Sequence, residues 1–533
     1  MFHRQKSEKR TITGDAVDAV ERGISMILNG CGFHKSSDYI ANIIVIFGAS
    51  VRRRFGKEND LSRSLVIINL ELYKVNLMPK NLVIYGFARS ALNVDKIRDQ
   101  ISEFIEVQEN EKAAFETFWK INHYFQGNYE TAADYKSLDR TLDKLENCGI
   151  SNRLFYLALP PHTFEVVTTN IHSQILSTNG WNRIVVEKPF GKDSTSAEKL
   201  SGHLTKLFKE DTLYRMDHYL GKEMVQNLIA LRFANPIFSN TWDRSNIASV
   251  MITLKEPFGV NARGAYFDNY GIIRDVIQNH LLQVACLVAM ERPVTTSAED
   301  IRNEKVRVLR SAAEIKIEDV VVGQYVGNEK GDDVSKVGYR EDATVPKDSL
   351  TATFASVVLK INNERWEGVP FILKCGKAMN EHKSEVRIQY RNPAGDIFDG
   401  KSVRNELVIR VQPNEAIYLK LMMKSPGMTF DVHETELDLN YNDRYKDVVL
   451  PDAYKRLILD VLTGSQTHFV RSDELKEAWR IFTPVLHHLE TEKVVPIEYT
   501  FGARGLKEAD ELSRRHNFVY TGKYQWQKSK TGD

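Results

Sequence analysis

The stretch IIVIFGASVRRRFGKENDL, residues Ile43 to Leu61, decides how the first half of this chain is read. Ile43, Ile44, Val45, Ile46 and Phe47 run unbroken into Gly48-Ala49-Ser50, as a strand buried on both faces does before a tight turn. A dinucleotide-binding fold then needs a second small residue, so that bare backbone can approach a pyrophosphate. Here Val51 and three arginines, Arg52, Arg53 and Arg54, follow instead, and Asn59-Asp60-Leu61 comes only after a further FGKE. The strand and its first turn predict a nucleotide fold whose phosphate loop has been lengthened.

Bulk composition narrows what such a fold is for. A chain of 533 residues is long enough for two or three domains with large cores. Its 72 basic and 71 acidic residues nearly cancel, so no broad field gathers nucleic acid or acidic membrane, and any anion site has to be local. Neither a nucleic-acid nor a membrane partner is expected. Cys31, Cys148, Cys286 and Cys375 stand far apart without a CxxC pair, which fits a reducing compartment and gives no structural zinc; no metal is expected. No apolar run is long enough to span a bilayer, and the basic start MFHRQKSEKR lacks the apolar core of a secretory signal. The expected location is the cytoplasm.

Along the chain, residues 1–40 read as a variable extension. From residue 41 to 217, short apolar runs (NIIVIFG, NLVIYGFA, NRLFYLALPP, NRIVVEKPFG) alternate with helical stretches such as YKSLDRTLDKLEN. That alternation predicts a Rossmann-like, doubly wound α/β parallel sheet with its ligand crevice at the C-terminal ends of the strands. Over 218–533, strand-like segments such as SVMITLKEPF, FASVVLKI, SEVRIQY and NELVIRVQP need no helix between them. This second domain is expected to be α+β around a large, mostly antiparallel sheet, crossed by the helices DAYKRLILDVLTG and SDELKEAWRIFTPVLHHLE.

Four segments carry the chemistry. VVEKPFG ends a buried strand at Glu187-Lys188-Pro189, and a residue before proline is held extended, so Lys188 is expected at the mouth of the crevice. In YRMDHYLGKEMVQNL, His218 and Lys222 are four apart and would share a helical face, with Tyr219 adding a hydroxyl and Asp217 an anionic partner for a base. Two cations and a phenol together suit a phosphate ester. In GIIRDVIQNHLLQVACLVAM, His280 interrupts an otherwise apolar helix, with Asp275 about one turn earlier. Taken alone, a histidine on an apolar helix is more often a hydrogen-bonded structural residue than a catalytic one. Glu256 in KEPFG and Lys377 in KCGKAM are strand-end polar residues of little individual weight.

Together these segments resemble the glucose-6-phosphate dehydrogenases from about Ile43 to Trp526. RMDHYLGKEMVQNL is close to diagnostic for that family, and NRLFYLALPP, VVEKPFG, GIIRDVIQNHLLQ, RNELVIRVQPNEA and KEAWRIFTP agree with it in order. The resemblance implies oxidation of glucose 6-phosphate to 6-phosphogluconolactone with reduction of NADP. It implies His280 as general base, with Asp217 as the carboxylate that orients it. It implies His218, Tyr219 and Lys222 as the phosphate pocket, Lys188 as shared between sugar and coenzyme, and Pro189 as cis. Glu256, Asp275, Lys377 and Gln412 would bind sugar hydroxyls and phosphate. Gly48, Ala49 and Ser50 would form the coenzyme turn, and Arg89, in YGFARS, would pair with the 2′-phosphate that distinguishes NADP from NAD. The resemblance further implies a homodimer or tetramer and a second, structural NADP on Lys383, Arg387, Arg410, Tyr418, Lys420, Asp438, Arg504, Tyr520 and Trp526. Lys374 and His382 replace arginines that are usual in the family, each a weaker fork for a phosphate.

The departure lies at the opening stretch. The family reads Gly-Ala-Ser-Gly-Asp-Leu straight through, whereas this chain inserts VRRRFGKE after Ser50 and puts Asn59 where the second glycine belongs. Added length costs only about 0.6 kcal/mol per doubling of the loop. Each backbone N–H misplaced from a phosphate oxygen costs roughly 1.5–3 kcal/mol. Four readings follow: a dehydrogenase with a weakened or rebuilt coenzyme loop; a catalytically impaired paralogue that keeps the sugar and structural NADP sites as a dimer partner; an error in the reported sequence at this one place; or a different sugar oxidoreductase sharing only Glu-Lys-Pro. The phosphate-binding DHYLGKE counts against the last.

Overall fold

The computed structural model describes residues 40–48, 61–146, 149–261, 263–446, 448 and 450–520. The lengthened loop, including Ala49, Ser50 and the arginines, lies outside the described residues, as does Trp526.

Strand β1 (Ile40–Phe47) is the apolar run of the opening stretch. Its side chains alternate between two cores: Ile43, Val45 and Phe47 join one, and Ile44 and Ile46 the other. Burial on both faces is why the run is continuous rather than alternating. β1 pairs in parallel with β2 (Leu82–Ala88) on one side and, across the switch point, with β4 (Ile150–Leu157) on the other. With β3 (Asn122–Gln126), β5 (Asn182–Glu187) and β6 (Leu213–Met216), the parallel strands stand in the order β6-β5-β4-β1-β2-β3. This is the doubly wound arrangement the alternation predicts. The intervening helices start on side-chain caps, Asn93 for Val94–Ser102 and Asp193 for Ser194–Leu207.

The second sheet holds β7 (Ile247–Lys255), β8 (Val320–Val326), β9 (Phe354–Lys360), β10 (Pro370–Gly376), β11 (Lys383–Tyr390), β12 (Glu406–Gln412), β13 (Ala416–Lys424) and β14 (Val432–Asn440). Its pairings are antiparallel except β7 with β10, and β8 with the late strand β16 (Ile497–Thr500). Between these two lies the short β15 (Phe469–Val470), which returns to the first sheet and pairs antiparallel with β6. The helix Ser472–Thr491 that follows binds back too, its Trp479 indole N–H donating to the Phe190 carbonyl at 3.0 Å. The late chain is therefore built into the first domain next to Glu187-Lys188-Pro189, and the two sheets share one large core. Among the described residues no helix is long and apolar enough to cross a membrane.

Candidate active site

Three segments meet at the ends of β5, β6 and β7. β5 delivers Lys188 through a cis peptide bond to Pro189. β6 delivers Asp217, whose carboxylate caps the short turn His218–Gly221 by accepting the Tyr219 N–H at 3.0 Å. The turn is pressed flat against the helix Ala453–Thr463: a Cβ on Gly221 would lie 2.4 Å from the Ala453 carbonyl oxygen, so only glycine fits there. From beside β7 and β10 comes the segment Ile273–Leu281, which is wound as a π-helix. Its i→i+5 repeat matters, since Asp275 and His280 are five apart and would diverge on an α-helix. Here both reach Lys188.

The central group is a chain of three charges and one ring. His280 Nδ1 lies 2.5 Å from Asp217 Oδ1, with both side chains buried. On the other side of the ring, Lys188 Nζ lies 2.9 Å from His280 Nε2 and 3.0 Å from Asp275 Oδ1. An ammonium can only donate, so Nε2 presents its lone pair and the ring proton sits on Nδ1, facing Asp217. Burial pushes the Asp217 carboxyl upward, but His280 and Lys188 outweigh it and hold the group below the usual carboxylate range. Asp275 is likewise held low, by Lys188 and Lys377, against the cost of burial. For His280, burial lowers the proton affinity and Asp217 only partly restores it, leaving a neutral base. Ligand atoms of Asp217, His218 and His280 lie within 4.8 Å of one another, close enough for a metal. Lys188 Nζ stands at Nε2, so the lone pair that a metal would need there is already engaged.

Around this group stand the residues singled out for the phosphate. Lys222 Nζ donates to the Gln412 amide oxygen, and Gln412 Nε2 in turn lies 2.9 Å from His382 Nε2. The His218 ring is 4.5 Å from that of His280, and Tyr219 stacks on His280 at 4.7 Å. Lys377 donates to Glu256 Oε2 at 2.6 Å, directly after the ends of β10 and β7. Thus His280, Asp217, Lys188, His218, Tyr219, Lys222, Glu256, Asp275, Lys377 and Gln412 all converge.

Two sequence expectations need correction. His218 and Lys222 do not share a helical face, because the backbone makes a 3₁₀ turn through His218–Gly221 and is extended at Lys222; the tertiary fold brings them together. Nor is His218 a standing cation: burial, then His280, Lys188 and Lys222, push it well below the ordinary imidazole range.

The coenzyme side is partly described. Gly48 has φ 90, and a Cβ there would sit 2.2 Å from the Ala158 carbonyl oxygen, so the turn at the end of β1 demands glycine. Arg89 follows β2, exposed, with its guanidinium 5.3 Å over the Tyr129 ring. Ala49 and Ser50 lie outside the described residues.

The second basic group falls on adjoining strands. Arg387 pairs with Glu385 at 2.7 Å and Glu406 at 2.8 Å, Lys383 with Glu385 at 3.0 Å, and Lys420 with Glu434 at 2.9 Å. Tyr418 stands opposite Asp438 across β13 and β14, Arg410 sits opposite Glu385 across β11 and β12, and Arg504 lies 4.2 Å over the Tyr520 ring.

Sequence reasoning missed Tyr454, which stacks on His218 with ring centroids 5.5 Å apart and planes within 11°. It also missed the buried Tyr156, whose hydroxyl donates to Glu187; burial drives that carboxyl up to about 7 despite the bond. Neither has a local sequence signal, since Tyr454 comes from a helix more than two hundred residues away in the chain.

The comparisons with known proteins bear on the family and the fold. Residues 54–227 match the model of the glucose-6-phosphate dehydrogenase NAD binding domain, and 229–527 match that family's C-terminal domain. The chain is 57% identical to glucose-6-phosphate 1-dehydrogenase of Drosophila melanogaster over 91% of this chain and 92% of that one. It is 54% identical to that of Ceratitis capitata over 96% and 98%. Among solved structures it is similar to a glucose-6-phosphate dehydrogenase in complex with glucose 6-phosphate, at 42% identity and TM-score 0.84, covering 91% of this chain and 100% of that one. A pair of sheets wound as described, a buried carboxylate–imidazole pair beside a basic turn, and these likenesses along nearly the whole length lead to one conclusion: this chain belongs to the glucose-6-phosphate dehydrogenase family.

Proposed function

We propose that this protein oxidises D-glucose 6-phosphate to 6-phospho-D-glucono-1,5-lactone and reduces NADP to NADPH, the entry reaction of the oxidative pentose phosphate route. The observation that carries this is His280 held by Asp217 at 2.5 Å, with its Nε2 lone pair facing Lys188 Nζ at 2.9 Å, beside the turn that bears His218, Tyr219 and Lys222.

The residues have distinct tasks. Lys222 and His218 take the phosphate dianion, whose charge also favours protonation of His218. Tyr219 supplies its hydroxyl and packs on the base. Glu256, Lys377, Asp275 and Gln412 orient hydroxyls around the ring. Lys188 releases His280 Nε2 to the sugar and turns its ammonium to an oxygen of the substrate. His280 then takes the proton of the C1 hydroxyl, and Asp217 stabilises the imidazolium that results. NADP, when bound, supplies the acceptor for the C1 hydride. The strict glycine at the end of β1 and Arg89 after β2 fit a nucleotide with a 2′-phosphate.

The cationic strands β11–β13, with Asp438 on β14 and the Arg504–Tyr520 stack, support a second, structural NADP, to which Trp526 would add a ring. A homodimer or tetramer working in the cytoplasm completes the reading. Assembly of every described sugar-side residue favours an active enzyme over an impaired paralogue. The direct test is NADPH formation by purified protein with glucose 6-phosphate against unphosphorylated glucose. Turnover of the ester alone is expected, and equal turnover of both would overturn the assignment.

A further inference from the structure

Beside the dyad lies a small cavity of about 20 Å³, room for about one water molecule. Asp217, Lys188, Gln278, Asn279 and Gln283 contribute its polar edge, and Phe190, Met216, Val470, Leu475 and Ala478 the rest. None of His218, Tyr219, Lys222, Glu256, Lys377 or Gln412 lines it, and only Lys188 and Asp217 are shared with the site described above.

Two polar groups at this cavity are left over. Asp217 uses Oδ1 for both His280 and the Tyr219 N–H, while Oδ2 is buried and has no hydrogen-bond partner among the described residues. A buried carboxylate oxygen with no donor is costly. Gln283 is the second group. Its amide oxygen accepts from Lys305 Nζ at 3.0 Å, and Lys305 is paired at 2.8 Å with Glu474, both buried. Because Lys305 can only donate, the oxygen of Gln283 has to face it, and the –NH₂ is left to donate in another direction. A buried ion pair adds little stability for its desolvation cost, but it fixes the orientation of whatever it holds.

We infer that this cavity binds one structural water, which accepts a hydrogen bond from the Gln283 amide and donates to Asp217 Oδ2. The inference rests on the catalytic reading above and extends it: Gln283 is a positioning residue, aligned by Lys305 and Glu474, that keeps the Asp217 carboxylate turned toward His280.

Two measurements test it. A high-resolution crystal structure of the full-length protein should show an ordered water within hydrogen-bond distance of both Asp217 Oδ2 and Gln283 Nε2. A dry cavity, or Oδ2 bonded to a protein group, overturns the inference. In the second, Gln283→Met removes the donor at nearly constant volume. kcat should fall about tenfold, the change worth one hydrogen bond to a charged group, while KM for glucose 6-phosphate holds; the melting temperature falls because Lys305 loses its Gln283 acceptor. An unchanged kcat overturns the positioning role. If the variant does not fold, the wild-type density alone decides. Failure of the wild type to form NADPH would instead refute the reaction, and the density would still answer for the water.

Discussion

The ammonium of Lys188 stands 2.9 Å from Nε2 of His280, on the opposite side of the ring from Asp217. The imidazole is thus clamped in the one tautomer that can act as a base, and the group occupying its lone pair is a cation that a substrate oxygen can draw away. Removing the base should therefore separate chemistry from binding. His280→Asn is expected to lower kcat by about 10²–10⁴-fold, with the dissociation constant for glucose 6-phosphate, from equilibrium titration, changed little. Activity near wild type would remove His280 from its role.

The pH profile has a definite sign. Burial and Lys188 lower the proton affinity of His280 more than Asp217 raises it, so kcat/KM should rise with pH along an acid limb below the ordinary imidazole value and be level by neutrality. In Asp217→Asn the raising influence is gone. The limb should move to still lower pH, and kcat should drop because the imidazolium loses its counter-charge. A limb displaced upward would contradict this electrostatic account.

Tyr454 offers a cleaner test of the phosphate side. Its ring lies nearly parallel to His218 at 5.5 Å, so the ring and not the hydroxyl should matter. Tyr454→Phe is expected to keep KM for the sugar phosphate, whereas Tyr454→Ala should raise it roughly threefold to tenfold, the worth of one aromatic pair, with kcat held. Equal effects of both changes would shift the role to the hydroxyl.

The sequence expectation of a lengthened coenzyme loop has a direct test. Deleting VRRRFGKE and placing glycine at Asn59 should restore two backbone N–H contacts, each worth roughly 1.5–3 kcal/mol. The measurable result is a lower KM for NADP, with KM for glucose 6-phosphate untouched. No change in either constant would place the insertion clear of the nucleotide.

Gly48 should tolerate nothing larger. Its φ of 90 and the 2.2 Å approach of a would-be Cβ to the Ala158 carbonyl predict that Gly48→Ala lowers the melting temperature and weakens coenzyme binding together. A melting curve matching wild type would show that the turn can adjust.

Much of this protein was legible in the chain alone, because the signals are local. Uninterrupted runs such as Ile43 to Phe47 mark strands buried on both faces, and runs ending in Gly or Pro mark where they turn. Asp217, His218, Tyr219 and Lys222 lie within one short segment, so their motif survives in one dimension. What lay beyond reach was set by packing. The π-helical winding that turns Asp275 and His280 to one side comes from its fit beside β7 and β10. The 3₁₀ turn at His218 follows from the helix Ala453–Thr463 pressing on Gly221. Tyr454, Gln283 and Glu474 reach the site from separate helices, and nothing in their own neighbourhoods marks them. Residue type and order determined which chemistry was available; only the assembled cores decided which atoms of His280, Lys188 and Asp217 face one another, since hydrogen-bond geometry is a property of distance and angle and not of sequence separation.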